Sequence, residues 1–223
     1  MTDNTLEFVD VNPTAPAAAC VIWLHGLGDS GNGFAPIVPE LHIAESLNIR
    51  FVFPHAPVRP VTINNGMPMR AWYDIKSMEL DKRADATGVR ESADLVEALI
   101  LQEIAAGIPA NKIVLAGFSQ GGVIALHLGT RFNQQLAGIM ALSTHMSEPD
   151  TLTNEASEAN KSTPILMCHG RMDDVVPMTF GRQALNQLEA NHYPVEWHDY
   201  PMQHNVCAEE ILKISQWLQS RLG

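Results

Sequence analysis

The sequence predicts an α/β protein built on a mostly parallel, doubly wound sheet with helices on both faces. Short apolar runs bounded by Gly, Pro or Asn recur along its 223 residues, and most are continuous, as in strands covered on both faces. Between them, apolar residues recur every three or four positions, which is typical of amphipathic helices. Strands that alternate with such helices are joined by right-handed crossovers, which favours parallel pairing. The length fits a single domain over residues 1–223.

Six strands and four helices account for this alternation. The predicted strands are the runs CVIWLH, IRFVFP, KIVLAGF, LAGIMALS, TPILMCHG and VEWHDY. The helices are predicted over residues 87–106, 122–132, 180–188 and 211–222. Thr87 is the expected cap of the first helix, and Gly107 and Pro109 are expected to end it. The polar stretch 147–163 is predicted to be a surface connection with at most one short helical turn.

Composition and charge exclude several classes of function. A formal net charge of −11 disfavours binding to nucleic acid or to an anionic membrane surface, because both would repel the chain. Three cysteines without a C-x-x-C pair indicate neither a disulfide framework nor a zinc site. The first residues lack a secretory pattern, and no run approaches the roughly 18 apolar residues of a membrane span. We therefore expect a cytoplasmic protein.

The stretch VLAGFSQGG places a serine between a strand and a helix. A nucleophilic serine in this position must project its hydroxyl from a tight, strained turn, where neighbouring side chains would collide. Gly117 and Gly121, two positions before and after Ser119, remove those side chains. The G-x-S-x-G pattern with its flanking strand and helix therefore predicts a catalytic nucleophile at Ser119. The alternative is a structural turn whose serine only caps the helix.

A serine nucleophile needs a base and an orienting acid, which in this fold follow it in the order acid, then histidine. Of the nine histidines, only His204 both follows the acid candidates and lies in a loop just after the last predicted strand. The acid candidates are Asp173 and Asp174, in the loop after TPILMCHG. Adjacent side chains cannot both point inward, and the pattern alone leaves the choice between them open.

Two backbone amides are expected to bind the oxyanion. The N–H of Gln120 lies at the start of the helix after the serine, where the helix dipole is positive. The N–H of Leu27 lies in the glycine-rich loop LHGLGDSGNGF after the first predicted strand. A phosphate-binding role for this loop is disfavoured, because it lacks the Gly-Lys of a P-loop.

Several motifs in order resemble the phospholipase/carboxylesterase family, which includes bacterial carboxylesterases and acyl-protein thioesterases. They are LHGLGDSG, PHAPVRPVTINNGMPMRAWYDI, GFSQGG, CHGRMDDVVP and YPMQHNVCAEEI, and they span most of the chain. The resemblance implies an α/β-hydrolase fold and hydrolysis of carboxylic esters or thioesters without metal or cofactor. It places the nucleophile on Ser119, the acid on Asp173 rather than Asp174, and the base on His204. One departure is Gln203 before the base, where relatives often have glycine.

The long connection after the second predicted strand indicates where the acyl group binds. Long loops without secondary structure of their own are often binding loops. By the resemblance this region helps to form an acyl pocket, with Trp72 and Met78 as walls and Val176 as a further contact. Alternatively, these residues pack against the sheet. The apolar residues of the loop, which follow no steady period, are Val58, Val61, Ile63, Met67, Met69, Trp72, Tyr73, Ile75 and Met78.

The expected partner is a small or lipid-like acyl ester, and the resemblance makes a homodimer conceivable. Two other functions remain open from the sequence. One is a non-catalytic hydrolase-fold protein that only binds a ligand, since fold does not fix function. The other is a peptidase or lactone hydrolase, because the triad does not itself select the leaving group.

Overall fold

A central sheet of seven strands dominates the computed structural model, which describes residues 5–77 and 85–223. Its strands, numbered in chain order, lie in the order β1-β3-β2-β6-β7-β8-β9, while β4 and β5 form a separate hairpin. The edge strand β1 pairs antiparallel with β3, and every other pair in the large sheet is parallel. The strands are β1 (Phe8–Val11), β2 (Ala19–Leu24), β3 (Ile49–Pro54), β4 (Val58–Val61), β5 (Met67–Arg70), β6 (Ile113–Phe118), β7 (Gly138–Leu142), β8 (Ile165–Gly170) and β9 (Val195–Tyr200).

Helices pack against both faces of this sheet and confirm the predicted doubly wound α/β architecture. Within the described residues there are three long or medium crossover helices, a C-terminal helix and several short ones. None of the helices in residues 5–77 and 85–223 is both long enough and apolar enough to cross a bilayer. The helices are α1 (Gly31–Phe34), α2 (Ile37–Glu40), α3 (Ala86–Ala105), α4 (Gln120–Arg131), α5 (Leu152–Glu155), α6 (Met178–Ala190) and α7 (Ala208–Leu222).

Two hydrophobic cores lie on opposite faces of the sheet. All six residues of β2 are buried, and successive side chains alternate between the cores, as the period of a strand requires. Helices α3, α4 and α6 cover one face, whereas α1, α2 and α7 cover the other. Burial on both faces explains why the strand sequences are continuous apolar runs rather than alternating ones.

All six predicted strands and all four predicted helices are present, with one correction at the start of the first predicted helix. Helix α3 begins at Ala86, and its N-cap is Asp85 rather than Thr87. The Asp85 carboxylate makes no capping bond and instead accepts a hydrogen bond from Lys76 at 2.8 Å. Gly107 has a φ of 108°, a conformation that glycine adopts without strain, and it follows the end of the helix as predicted.

The polar stretch 147–163 differs from the prediction of a simple surface connection. It contains helix α5 and two short 3₁₀ turns, and several of its polar side chains are buried. Asn160 is fully buried because its side chain replaces backbone partners: it donates to the carbonyls of Phe132 and Gln134 and accepts from the amide of Leu136. A hydrogen-bonded asparagine can be buried in this way at little cost.

The connection after β3 also has structure that its sequence did not reveal. Strands β4 and β5 form an antiparallel hairpin in which Val58 pairs with Arg70 and Val61 with Met67. Val58 and Met67 are largely exposed, so the hairpin lacks the apolar alternation of a half-buried strand pair. The end at which the chain enters and leaves the hairpin is fixed to the glycine-rich loop after β2, since the N–H of Gly28 donates to the carbonyl of Arg70 at 2.9 Å.

Candidate active site

The three predicted catalytic side chains meet at the carboxyl ends of the parallel strands. Ser119 follows β6, Asp173 lies in the loop after β8, and His204 lies in the loop after β9. These loops emerge at the same edge of the sheet, because all three strands run in the same direction. The three residues are therefore close together in the fold, although they are far apart in the sequence.

Ser119 occupies a strained turn between β6 and α4. Its φ is 54° and its ψ is −117°, a conformation that costs a non-glycine residue on the order of 1–3 kcal/mol. A Cβ at Gly117 would overlap the carbonyl of Gly121, and one at Gly121 would overlap the carbonyl of Leu24. Both glycines are thus required by the close approach of helix α4 to β2 and β6. The Ser119 hydroxyl makes no capping bond to the helix, in contrast to the structural-turn alternative.

His204 bridges Ser119 and Asp173. Its Nε2 lies 2.8 Å from the Oγ of Ser119, and its Nδ1–H donates to Oδ2 of Asp173 at 2.7 Å. The ring packs against Phe118, with ring centroids 4.8 Å apart. With the proton on Nδ1, the lone pair of Nε2 faces the serine hydroxyl, which is the tautomer that a general base requires.

Asp173 is buried and its loop is built around its carboxylate. Oδ1 accepts hydrogen bonds from the backbone amides of Val175 at 3.0 Å and Val176 at 2.8 Å, which leaves Oδ2 for His204. Burial alone would raise the pKa of Asp173, but the hydrogen bonds from His204, Val176 and Val175 together hold it below its ordinary value. Asp173 is therefore ionised beside the histidine, whereas Asp174 is exposed to solvent.

Leu27 and Gln120 both line the cavity into which the Ser119 hydroxyl projects. Within the part of the chain that the structure describes, neither of their backbone amides has a hydrogen-bond acceptor. The Gln120 side chain points the other way and is buried: its Oε1 accepts from the amide of Trp72, and its Nε2 donates to the carbonyl of Tyr73, both at 2.8 Å. The two amides are therefore available at the cavity wall.

The cavity beside Ser119 has a volume of about 240 Å³ and a mainly apolar wall. Val176 is part of this wall, whereas Trp72 is fully buried behind it and does not line it. Met78 lies outside the described residues. Tyr73 and Ile75, from the loop expected to form the acyl pocket, also line the cavity. The remaining wall consists of residues to which the sequence assigned no role in the pocket: Gly26, Asp29, Phe118, His145 and Val175.

Two further side chains support the site without lining the cavity. Thr144 donates its hydroxyl hydrogen to the carbonyl of Ser119 at 2.7 Å, which braces the strained turn from behind. His169, buried on β8, donates from Nε2 to the carbonyl of Val176 at 2.8 Å and thereby ties down the loop of Asp173. Neither contact was predictable, because no pattern in the sequence marks a side chain that bonds to a distant carbonyl.

The two ring nitrogens of His204 decide what chemistry the arrangement suits. In residues 5–77 and 85–223, no three or more His, Cys, Asp or Glu side chains are grouped so that they could hold an ion. The histidine of the site is instead engaged on both ring nitrogens by Ser119 and Asp173. The arrangement suits acyl transfer to an activated hydroxyl.

The fold and the site together define a class: the protein is a serine hydrolase with the α/β-hydrolase fold. Comparison with known proteins then gives the family. Residues 6–222 match the phospholipase/carboxylesterase family, and the chain belongs to it. The resemblance noted from the sequence motifs is thereby confirmed.

Individual relatives support the same class. The chain is 38% identical to acyl-protein thioesterase 1 of Yarrowia lipolytica over 221 residues, which cover 96% of each protein. Among solved structures, it is similar to acyl-protein thioesterase 2 of Zea mays, with a TM-score of 0.84 and 30% identity over 97% of this chain and 99% of that one. It is also similar to SOBER1 of Arabidopsis thaliana, with a TM-score of 0.87 and 33% identity over 92% of this chain and 99% of that one. Its activity is that of a carboxylesterase or thioesterase type of serine hydrolase.

Proposed function

We propose that the protein hydrolyses acyl thioesters and carboxylic esters through an acyl intermediate on Ser119. In this proposal His204 is the general base, Asp173 orients and stabilises it, and the amides of Leu27 and Gln120 bind the oxyanion. The observation that carries the proposal is the continuous hydrogen-bonded series from Asp173 through His204 to Ser119, with distances of 2.7 and 2.8 Å.

Acylation begins when the substrate carbonyl enters the cavity beside Ser119. His204 Nε2 accepts the hydroxyl proton while Oγ attacks the carbonyl carbon, and the negative oxygen that forms accepts hydrogen bonds from the two amides. The carboxylate of Asp173 stabilises the imidazolium. The tetrahedral intermediate then collapses, His204 returns the proton to the leaving sulfur or oxygen, and the acyl group stays on Ser119.

Deacylation repeats these steps with water as the nucleophile. His204 accepts a proton from water, the hydroxide oxygen attacks the acyl carbon, and the second oxyanion is bound by the same amides. Collapse breaks the bond to Oγ, which recovers its proton from His204, and the carboxylic acid leaves. The cycle consumes one water and leaves the enzyme unchanged.

Two observations favour an acyl substrate with an apolar chain and a thiol leaving group. The cavity wall is mainly apolar, with Tyr73, Ile75, Val175 and Val176 on it, which suits a hydrocarbon chain. The named relatives from Yarrowia and maize are acyl-protein thioesterases. A thiolate with an ordinary pKa of about 8.5 is also a better leaving group than an alkoxide and needs less help from His204.

The turnover of matched substrates tests this proposal. A p-nitrophenyl ester, a thioester and an amide with the same acyl group are offered to the wild-type protein and to Ser119→Ala. We expect the thioester and the ester to be hydrolysed, the amide to be left intact, and the variant to be inactive. Dominant amide hydrolysis would support a peptidase instead, and equal rates for both proteins would mean that Ser119 is not the nucleophile.

The ligand-binding alternative predicts a different result in the same assay. A non-catalytic protein would bind the acyl substrates without releasing product, and Ser119→Ala would bind them equally well. The intact chain of hydrogen bonds at Ser119 supports catalysis. Titration of a non-hydrolysable acyl ether, together with turnover, separates binding from catalysis.

We also propose a cytoplasmic location, while the homodimer suggested by the family resemblance stays a prediction. Support for the first is that Cys20, Cys168 and Cys207 are all free thiols, two of them buried, as suits a reducing compartment. Sedimentation velocity at micromolar concentration tests the second. A single species of 24.4 kDa would contradict the dimer.

A further inference from the structure

Trp72 is a fully buried residue that makes hydrogen bonds on several sides. Its indole Nε1–H donates to the carbonyl of His25 at 2.9 Å, and its backbone N–H donates to Oε1 of Gln120 at 2.8 Å. Its own carbonyl accepts from the hydroxyl of Ser92 on helix α3. The residue thus connects the loop after β2, the start of α4 and helix α3.

Two of these connections lead to the proposed oxyanion hole. His25 lies two residues before Leu27, and Gln120 itself supplies the other amide. These amides belong to separate segments, so nothing in the local chain geometry fixes the distance between them. An oxyanion hole works only when both donors lie about 2.7–3.1 Å from the developing oxygen. Some tertiary contact must therefore set the spacing of the two segments.

We propose that Trp72 is a positioning residue that holds the loop of Leu27 and the start of helix α4 at the spacing an oxyanion requires. The inference rests on the proposed function, since it presumes that these amides bind the oxyanion. Trp72 itself touches neither the nucleophile nor the cavity, so it acts only through His25 and Gln120.

The surroundings of His25 make this connection stiff. The His25 ring accepts a hydrogen bond from the amide of Ala56 at 3.0 Å and packs against the Trp72 ring, with centroids 5.4 Å apart. Its carbonyl also lies against Gly121, where an added Cβ would approach it to 2.7 Å. The indole N–H therefore bonds to a carbonyl that is already wedged against the first turn of α4.

Gln120, the second hydrogen-bond partner of Trp72, is equally constrained. The Gln120 side chain is buried and makes two hydrogen bonds, to the amide of Trp72 and to the carbonyl of Tyr73. These bonds orient the residue whose backbone N–H is one of the two proposed oxyanion donors. The next residue in the loop, Tyr73, lines that cavity, so the same contact also sets the position of the acyl wall.

Trp72→Phe tests the inference, because it removes the indole N–H and keeps an aromatic ring. Trp23→Phe is a matched control. Trp23 is also fully buried but packs on the opposite face of the sheet, and its Nε1 has no hydrogen-bond partner within the described residues. Both variants lose a similar apolar volume, but only the first loses a hydrogen bond to the oxyanion loop.

The readouts are kcat and KM for a p-nitrophenyl ester and the affinity for a trifluoromethyl ketone of the same acyl length. This ketone forms a tetrahedral adduct whose oxyanion needs both amides. For Trp72→Phe we expect kcat to fall about 10- to 100-fold, KM to change little, and inhibitor affinity to fall in parallel with kcat/KM. The pH profile of kcat should keep its position, because the contact of His204 with Asp173 is untouched. Trp23→Phe should resemble the wild type in kcat, KM, ketone affinity and the pH profile of kcat.

Several outcomes would overturn the inference. They are a wild-type kcat for Trp72→Phe, a loss no larger than that of Trp23→Phe, or a loss confined to KM without weaker ketone binding. If Trp72→Phe does not fold, Gln120→Met replaces it, because it keeps the backbone N–H of residue 120 and removes the side-chain hydrogen bonds to Trp72 and Tyr73. We expect this variant to lower kcat and ketone affinity together. Wild-type values for both would again refute the inference. Ser119→Ala separates the two claims: if it retains activity the proposed function fails, whereas an inactive Ser119→Ala beside a fully active Trp72→Phe refutes only the role of Trp72.

Discussion

The Oγ of Ser119 lies 2.8 Å from Nε2 of His204, although 85 positions separate the two residues in the chain. Each residue is held by its own strand end: Ser119 by a strained turn after β6, and His204 by the loop between β9 and α7. The two residues meet because β6 and β9 are parallel, so that the loops after them lie at the same edge of the sheet. The chemistry of the site depends on that contact and on the acid behind it.

Asp173→Asn tests the acid. The variant keeps an oxygen for the amides of Val175 and Val176 but loses the negative charge opposite His204 Nδ1. The asparagine amide also favours the wrong histidine tautomer. We expect kcat for a p-nitrophenyl ester to fall on the order of 10³- to 10⁴-fold with a thermal midpoint close to that of the wild type.

The neighbouring residue supplies the control for that experiment. Asp174→Asn makes the same chemical change at an exposed side chain, and its kcat should stay near that of the wild type. If Asp174→Asn were the more damaging of two folded variants, the acid would be assigned to the wrong residue.

Gly121→Ala tests the packing that permits the strained turn. Its added Cβ would overlap the carbonyl of Leu24, so helix α4 must shift away from β2. We expect the free energy of unfolding to fall by at least about 1–3 kcal/mol, and esterase activity to be lost together with it. Gly26→Ala is the comparison, since the nearest atom to its added Cβ is a Phe118 ring carbon at 3.3 Å. Urea denaturation should show the larger loss for Gly121→Ala.

Glu210 makes the stability of the fold depend on pH. Its carboxyl is buried at the first turn of α7, near Cys168, Tyr200 and Cys207, and makes no hydrogen bond of standard geometry to the described residues. Burial raises its pKa from 4.5 to about 8, and the nearby amide of Cys207 offsets only part of this. The folded chain then holds a proton that the unfolded chain releases.

The sign of the effect follows from that difference in bound protons. Between about pH 4.5 and 8, the free energy of unfolding should decrease as pH rises, by up to about 1.4 kcal/mol per pH unit from this group. Glu210→Gln cannot release a proton, so its stability should decrease less steeply over this range. Glu209→Gln, at an exposed position in the same turn, should keep the wild-type slope. Equal slopes for Glu210→Gln and the wild type in urea titrations would contradict the prediction.

Val175→Phe tests which acyl chains fit the site. Val175 lines the cavity and the residue is 44% exposed, so a larger side chain can be placed there without repacking the core. The phenyl group should narrow the cavity and lower kcat/KM for long acyl chains more than for acetyl. Met172→Phe, exposed and outside the cavity wall, should leave the chain-length profile of p-nitrophenyl esters unchanged. A parallel loss for all chain lengths would mean that Val175 does not contact the acyl group.

The central strands and crossover helices were predictable because their burial on both faces dictates their composition. The same reasoning could not find β1, a short edge strand that is only partly buried, or the β4–β5 hairpin, whose exposed Val58 and Met67 break the expected alternation. Patterns of burial identify elements that pack on the sheet. They carry little information about elements that lie at its edge.

Some residues of the site could likewise be predicted from the sequence and others could not. Ser119 and His204 could be predicted as a pair in contact because glycine spacing and chain order restrict where a nucleophile and its base can lie, and their side chains do meet. The loop that contains Trp72 and Tyr73 has no periodicity, so the sequence could not tell which of two adjacent aromatic residues faces the cavity. Trp72 was predicted as a wall, yet it lies behind the wall that Tyr73 helps to form, because its indole N–H bonds to His25 and its amide to Gln120.

Labelling with a fluorophosphonate, followed by peptide mapping, tests the central claim most directly. The probe reacts with a hydroxyl only when a base removes its proton and oxyanion donors bind the developing charge. We predict one modified residue, Ser119, with labelling abolished in Ser119→Ala and strongly slowed in a folded His204→Asn. Modification of another residue, or no modification of the folded wild-type protein, would contradict the account.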